Sequence, residues 1–529
     1  MTTAIKAAGS LAGLALLVAA VCPGAAAQET SAAQRPNVIL IVSDNQSARL
    51  LGAYGNNEIA TPHIDALARS GVLFRNAFSA SGVCSPARAA LLTGLTPSQT
   101  GIHVALPPQP ELEGWSAIEE FRNLPQTLAD AGYFTGLVGK YHLGRHERPQ
   151  LGFSWWVTFP SGHTMTFYDQ EVIDNGRHYR VEKHLTDFWT DKAIEFIGQR
   201  PGAGEPFFLY LSYNGPYMLP PTVLFPPRNR HAERYRKNPP AMPHEPIHPY
   251  LEAWARGRSP TGEMVREGTT AWRAINAINN PVAMINTAAE TTMVDDGVGR
   301  LMEALEEQGL RENTLVIYTS DQGSRFGHGG LWGNTSWSFP FTVHQVNMEV
   351  PLMFSQPGRV PGGAVREEFI NQVDVFPTLL EYLGLEELEI RNSGGRSFAP
   401  MLQGADPEWD STAFFEFVTV RVVRSGRWKY MKRFDTGEPH TLFDLVDDPG
   451  EKRNLIDDPA HSDVVAELDA RLTDFFAQYS APEYDLWRGG SAKAILLDTH
   501  YGQNHIFRDR FPGWREPFVE RPASVFRDR

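Results

Sequence analysis

The sequence predicts an α/β fold: a large, mostly parallel sheet with helices on both faces, plus a smaller C-terminal antiparallel-sheet subdomain with a helix. Three observations lead there. Continuous apolar runs at 37–43, 206–212 and 314–320 each end in polar residues, the pattern of strands buried on both faces. Amphipathic stretches of helical period lie between them, as in alternating strand–helix units. Beyond about residue 404 the pattern changes to short runs at 414–423 and 427–433 with turns between, and then a helix at 461–479.

Taken in order, the chain of 529 residues opens on Lys6, an apolar stretch at 11–21 and the small residues Ala25-Ala26-Ala27. That is the pattern of a secretory signal peptide cut near Ala27, and it predicts a periplasmic or secreted protein. No later apolar run approaches the roughly 18 residues of a membrane span. The net charge of -14 argues against nonspecific nucleic-acid binding. Of two cysteines, Cys22 leaves with the leader, so the mature chain keeps Cys84 alone and cannot form an internal disulfide. The predicted organisation is a leader at 1–27, a linker at 28–36, a catalytic α/β domain at 37–404, an α+β subdomain at 405–500 and an extended tail at 501–529.

The first apolar run, 37–43, delivers Asp44-Asn45 at its end. A helix opens at Thr61-Pro62 and stops at Gly71, and a short strand follows at 72–74. Ser85 reads as a helix N-cap with Pro86 at the first helical position, a helix over 87–92 and Gly94 as its stop. Cys84 is thereby held at a helix N-terminus, where free N–H groups favour negative charge, with Arg88 one turn on. An ordinary buried cysteine at a helix start fits the spacing equally well. Next come a helix at 124–131 and a strand at 132–139 that delivers Lys140 and His142. An aromatic loop at 152–168, a helix at 184–197 and the strand 206–212 follow, the last leading to Pro216-Tyr217. Residues 220–281 read as Pro-rich and irregular, with a basic knot of Arg228, Arg230, Arg234, Arg236 and Lys237. A long helix at 288–308, the strand 314–320 with Asp321-Gln322 at its end, a strand at 350–354 and a helix at 374–382 complete the predicted domain.

Ligand sites of open α/β sheets lie at the carboxyl ends of strands. Asp44 with Asn45 and Asp321 with Gln322 form an all-oxygen set, which suits a hard cation such as Ca²⁺ or Mg²⁺ and offers Zn²⁺ no soft ligand.

Cys84-Ser85-Pro86-Ala87-Arg88, followed by Leu91-Leu92-Thr93-Gly94, resembles the signature of the formylglycine-dependent sulfatases of the alkaline phosphatase-like superfamily. The neighbouring motifs fall in that family's order. The stretch ending in Asp44 resembles its first metal strand, Gly139-Lys140-Tyr141-His142 its Gly-Lys-x-His motif, and Ser320-Asp321-Gln322-Gly323 its second metal strand. Leu442-Phe443-Asp444 through Asn454-Leu455 resembles its C-terminal segment.

The resemblance implies an exported sulfatase that hydrolyses an organic sulfate ester, on a small molecule or a glycan, to alcohol plus inorganic sulfate. Cys84 would be oxidised to formylglycine (3-oxoalanine) by a separate formylglycine-generating enzyme. One hydroxyl of the hydrated aldehyde would attack sulfur, and loss of a proton from the other would expel sulfate. Asp44, Asn45, Asp321 and Gln322, with residue 84, would hold Ca²⁺, or Mg²⁺ in its place. Arg88 would orient the diol, Lys140 would contact sulfate or the diol, and His142 would move its proton.

Four positions depart from the family. Asn45 replaces a common Asp and Gln322 a common Asn or His, and each keeps an oxygen ligand. Tyr217 stands where a His usually protonates the leaving oxygen, and Asn334 where a Lys usually binds sulfate. Tyr217, Asn334 and His328 are therefore candidate substrate-binding residues, with Arg325, His328 and His163 as candidates to replace the lost cation. The aromatic loop reads either as a stacking surface for substrate or as a packed lid, and the basic knot as a polyanion site or a solvated face. Two other functions remain open: a phosphonate or phosphodiester hydrolase of the same superfamily, and an inactive sulfatase-like binding protein.

Overall fold

The strand Asn37–Ser43 (β1) is made of apolar, β-branched residues, and every one of its seven residues is buried. Its side chains alternate between two cores. Val38, Leu40 and Val42 face one, and Ile39 and Ile41 face the other. The computed structural model describes residues 35–493 except 107–115, 145, 165, 200–204, 218–222, 226–227, 258–266, 389–391, 435–436 and 491. The expected leader, most of the expected linker and the expected tail lie outside the described residues.

The further strands of the main sheet are Val72–Phe78 (β2), Phe134–Gly139 (β3), Trp155–Thr158 (β4), Gln170–Asp174 (β5), Arg177–Val181 (β6), Phe207–Ser212 (β7), Thr314–Ser320 (β8), Glu349–Val350 (β9), Leu352–Ser355 (β10) and Ala364–Asn371 (β11). Their order is β11-β2-β10-β8-β1-β7-β3-β4-β5-β6, with β9 paired to β2. The centre, β8-β1-β7-β3-β4, is parallel throughout, as the buried apolar runs predict. The flanks are not. β10 runs antiparallel to β8 and β2, and β4-β5-β6 form an antiparallel edge, so the sheet is mixed.

Helices Cys84–Thr93, Leu124–Asp130 and Val375–Tyr382 cover one face through Leu91, Leu128 and Leu379. Helices Pro62–Arg69, Leu185–Gly198 and Pro281–Glu307 cover the other through Leu67, Trp189 and Leu301. The long helix starts seven residues before the predicted 288, because Asn280 caps it through Val282 N–H and Pro281 takes the first position.

One reading needs correction, and two open ones resolve, the basic knot as an exposed, internally paired face and the aromatic loop as a packed one. The 220–281 stretch is not irregular throughout: it carries helices Ala232–Lys237, Pro249–Gly257 and Thr270–Ala277. Tyr235, Leu251, Trp254 and Ala274 from these helices pack with Ala288 and Ala289 of the long helix, so tertiary burial overrides the Pro-rich composition. The basic knot is largely tied down. Arg230 pairs with Asp187 and Asp296, the Arg228 guanidinium lies over the Tyr168 ring, and Arg236 and Lys237 pair with Glu233. The aromatic stretch contains β4, and its Trp156, Phe159 and Phe167 are buried in the cores rather than presented to a ligand.

The C-terminal sheet is antiparallel: Thr412–Phe417 (β12), Val420–Ser425 (β13), Trp428–Arg433 (β14) and Thr441–Asp444 (β15). Helix Ser462–Gln478 packs Leu468, Leu472 and Phe476 against Val423, Tyr430 and Leu442 on one face. On the other face Phe415, Phe417 and Val422 pack with Phe78, Val83 and Phe341 of the main body. The segment after β15 is structural. Asn454 Oδ1 accepts from Leu442 N–H at 3.0 Å, and Glu451 pairs with the buried Lys429 and with His344.

A buried polar knot joins the C-terminal sheet to the short helix Pro97–Thr100 and to Asp485. Glu416 accepts from Ser98 N–H at 2.8 Å, from Ser98 Oγ at 2.5 Å and from Arg421 Nε at 2.8 Å, and Arg421 also reaches Asp485 at 2.7 Å. Removing one partner strands the others without water. We expect Glu416→Ala to lower unfolding free energy by about 3–5 kcal/mol in denaturant titration. A loss under about 1 kcal/mol would show that Asp485 alone satisfies Arg421.

Candidate active site

The site is a property of strand register. Ser43 of β1 pairs with Ser320 of β8, Val42 with Ser212 of β7, and Ser212 with Gly139 of β3. Four adjacent parallel strands therefore end on one level. The residues that follow emerge together: Asp321-Gln322, Asp44-Asn45, Tyr213 onward, and Lys140 through His142. Gly139 has φ +104°, and a Cβ there would lie 1.9 Å from the Ser212 carbonyl oxygen, so only glycine lets Lys140 turn off the strand end. Asn45 and His142 also have positive φ, both 57°, a strained conformation for residues with side chains.

Facing these ends is helix Cys84–Thr93, all ten of its residues buried. It starts earlier than predicted. Val83 is the N-cap and Cys84 the first helical residue, while Gly94 ends it in the left-handed conformation as expected. Ser85 does not cap because its hydroxyl donates to the His142 carbonyl at 2.8 Å and accepts from Leu106 N–H at 2.9 Å. That bond ties the cysteine turn to the Lys140–His142 turn.

Around Cys84 Sγ the contacts are polar. Lys140 Nζ is 3.2 Å away, Gln322 Nε2 3.5 Å, and the thiol reaches Asp44 Oδ1 at 3.6 Å. Lys140 pairs with Asp44 Oδ2 at 2.6 Å, both fully buried. Arg88 forks onto Asp321 Oδ2 through Nε at 3.0 Å and Nη2 at 2.8 Å, and its Nη1 donates to Ser212 Oγ at 2.5 Å and the Lys140 carbonyl at 2.9 Å. Asp321 Oδ1 accepts from the backbone N–H of Asn45 and Gln322 at 3.0 and 2.8 Å. Two cations and two carboxylates cancel at the centre.

Burial sets the protonation states. It pushes the Cys84 thiol up to about 12 despite the Lys140 ammonium beside it. It also pushes Asp44 upward, against the pull of Lys140. Burial works against the Lys140 ammonium, and Asp44, Cys84 and Asp321 together more than offset it, so Lys140 stays charged. Burial, reinforced by Lys140 and His163, drives His142 well below the usual histidine range. His142 is neutral at pH 7, and its Nε2, 2.9 Å from the Leu106 carbonyl, carries the proton.

Asp44, Cys84 and Asp321 each offer a ligand atom, all within 4.8 Å of one another. Asn45 Oδ1 and Gln322 Oε1 are buried with no protein partner. Leaving such groups unsatisfied costs about 1–3 kcal/mol each. A hard divalent cation among these oxygens would satisfy both, so the residues present fit one.

The structure thus brings together Asp44, Asn45, Cys84, Arg88, Lys140, His142, Asp321 and Gln322. Tyr217 joins at the rim, with Lys140 Nζ 5.7 Å from its ring centroid. Asn334 and His328 make no contact with this group. Asn334 Oδ1 caps the turn Thr335–Trp337, accepting from Ser336 N–H at 3.2 Å and Ser336 Oγ at 2.6 Å. His328 lies beside His344, ring centroids 6.0 Å apart. Arg325 is fully buried on the carbonyls of Gly333, Asn334 and Thr342, and burial lowers its pKa to about 9. Sequence reasoning missed Ser212, Ser85 and Gln372. Gln372 holds the turn carrying Asp321, donating to the Ser320 and Asp321 carbonyls at 2.8 and 2.7 Å. The signals that mark two of them are the position of Ser212, last in its apolar run, and of Ser85, inside the Cys84–Arg88 motif.

The chain matches the sulfatase family profile over residues 36–385 and an N-sulphoglucosamine sulphohydrolase C-terminal profile over 333–478. It is 30% identical over 409 residues to human N-acetylgalactosamine-6-sulfatase, covering 71% of this chain and 67% of the relative. It is 30% identical over 390 residues to human N-sulphoglucosamine sulphohydrolase, covering 70% and 67%. A structure solved in complex with its substrate D-glucosamine-2-N,6-O-disulfate superposes with TM-score 0.69 at 22% identity, covering 84% of this chain and 98% of that one. No helix among the described residues is long and apolar enough to cross a membrane. The family profile spans well over half of the sequence and includes the whole Cys84 cluster: the chain belongs to the sulfatase family and is a sulfuric ester hydrolase.

Proposed function

We propose that this sulfatase removes sulfate from a sulfated amino sugar of a glycan, using residue 84 as nucleophile. The observation that carries the chemistry is the closed cluster of Cys84, Lys140, Asp44, Arg88 and Asp321 at four aligned strand ends. The names of the two human relatives, both acting on hexosamine sulfates, support the substrate class.

Cys84 Sγ stands where the oxygens of a formylglycine hydrate would lie. The unmodified thiol, held near pKa 12, is a poor nucleophile, which favours the modified residue. Once formed, the aldehyde hydrate supplies a hydroxyl for attack on sulfur and a second for release of sulfate. Asp44, Asn45, Asp321 and Gln322 would hold Ca²⁺, with Mg²⁺ as the alternative, and the ion would supply charge stabilisation at the sulfate oxygens. Arg88 fixes Asp321 and the strand end of β7 together. Lys140 places positive charge at the attacking position. His142 presents its bare Nδ1 as a base, held there by the Leu106 carbonyl on the other nitrogen. The 1–27 leader implies export to the periplasm or beyond.

The reading is tested on N-acetylglucosamine 6-sulfate, N-sulfoglucosamine, 4-nitrophenyl sulfate and a phosphonate monoester, with released sulfate measured directly. Sulfate release from at least one amino sugar is expected. Turnover of the aryl sulfate alone would overturn the amino-sugar class. Mass analysis of the Cys84 peptide from an export-competent host should show CHO in place of CH₂SH. Chelation with EDTA should reduce turnover by at least about 10²-fold, the typical cost of one lost preorganised charge group, and Ca²⁺ should restore it better than Mg²⁺. Equal activity before and after exhaustive chelation would remove the metal from the reading.

A further inference from the structure

His163 stands at the rim of the cluster in a wall of three rings. Its imidazole is stacked on His142, with centroids 5.5 Å apart and planes within 10°, and its centroid lies 5.7 Å from that of the tilted Tyr217 ring. Tyr217 in turn lies over Lys140 Nζ, which is 3.2 Å from Cys84 Sγ. His163 therefore occupies the second layer out from the nucleophile, on the Tyr217 side. It is half-buried, whereas His142, Lys140 and Tyr217 are buried. The loop that carries it is packed: a Cβ on Gly162 would lie 2.2 Å from the His146 ring.

A sulfatase acting on a sugar must protonate a poor leaving oxygen. His142 is committed to the nucleophile side, with one nitrogen bound to the Leu106 carbonyl. Tyr217 has a phenol whose ordinary pKa, near 10, is mismatched to neutral catalysis, while an imidazole near 6.5 is matched. Lys140 is held by Asp44. Among the described residues, a further titratable group at the rim is the half-buried His163.

We propose that His163 is the general acid that protonates the leaving oxygen, from a different chain segment than the residue after Pro216. The proposal rests on the nucleophile assignment to residue 84. As the bond from sulfur to the oxygen on residue 84 forms, that hydroxyl gives its proton to His142 Nδ1 and the S–O bond to the alcohol breaks. Its electron pair goes to the leaving oxygen, which takes the proton from imidazolium His163. Neutral His163 then takes a proton from water. Among the described residues, the groups facing His163 include His142, Tyr217 and, across the tyrosine ring, Lys140, with His146 behind Gly162.

The experiment compares wild type, His163→Gln and Tyr217→Phe on aryl sulfates from 4-nitrophenyl to 4-methylphenyl. Wild type should show kcat/KM nearly independent of leaving-group basicity. His163→Gln should lose less than about 5-fold on 4-nitrophenyl sulfate and about 10²-fold or more on 4-methylphenyl sulfate. Tyr217→Phe should keep the wild-type slope. A uniform loss in His163→Gln, or a steepened slope in Tyr217→Phe alone, overturns the proposal. A second readout does not need turnover. In Cys84→Ala, the histidine resonance that His163→Gln deletes should move when N-acetylglucosamine 6-sulfate is added, and an unmoved resonance counts against the proposal. Wild-type rates in Cys84→Ala would sink the nucleophile assignment, while the slope comparison would still judge His163.

Discussion

Cys84→Ala is expected to lose at least about 10⁴-fold in kcat/KM on every sulfate ester the enzyme accepts, with folding intact. The loss should not vary with leaving group, because no part of the reaction is left to a second nucleophile. Lys140 and Asp44 would still neutralise each other at 2.6 Å, and Ala fits a helix start whose neighbours are Val83 and Ser85. Circular dichroism and the thermal midpoint should therefore match wild type. A variant that keeps a tenth of its activity would mean that sulfur is attacked by another group, such as water activated by His142. Cys84→Ser should be nearly as inactive, because a lone hydroxyl can attack but offers no second oxygen for release.

Arg88→Met is expected to be the most destabilising single change in the cluster. It removes both bonds to Asp321 Oδ2, the bond to Ser212 and the bond to the Lys140 carbonyl, all in fully buried surroundings. What remains is a carboxylate with no cation, a situation that costs about 3–5 kcal/mol. The net charge of the centre moves from neutral to negative, so added Ca²⁺ should recover part of the loss. Denaturant titration with and without Ca²⁺ measures both effects. Activity should fall by about 10²–10³-fold as well, because the three strand ends joined by Arg88 lose their common partner. An unchanged unfolding midpoint would show that Asp321 takes up a proton at little cost.

Much of this was legible in the sequence. Apolar runs at β1, β7 and β8 announced parallel strands, and their terminal polar residues announced the site, because burial on both faces leaves no other place for Asp44 or Asp321. The Cys84 motif gave the facing helix. Its start was misjudged because Ser85 and Pro86 look like a cap and a first-turn proline, yet Ser85 finds a tertiary partner in the His142 carbonyl. The hairpin β5–β6 and the short helices within 220–281 were missed because their local pattern is weak and long-range packing defines them. Asn334 is a candidate from its motif position, and His328 only as a nearby stand-in for the lost cation. Side-chain capping at Asn334 and ring packing at His328 depend on loop geometry that no residue spacing encodes.

The depth of Cys84 has a consequence in time. Its helix is buried on every residue, and Cys84 is 4% exposed, with Lys140 Nζ and Gln322 Nε2 against its sulfur. For a separate enzyme to oxidise Cys84 in the folded protein, this buried helix start would have to open. On the proposed maturation, oxidation and folding are competitors, and each molecule runs the race once. A chain that folds first is locked as a stable thiol form. Fast overproduction should therefore yield two populations with the same melting behaviour and different Cys84 masses, and specific activity should track the ratio between them.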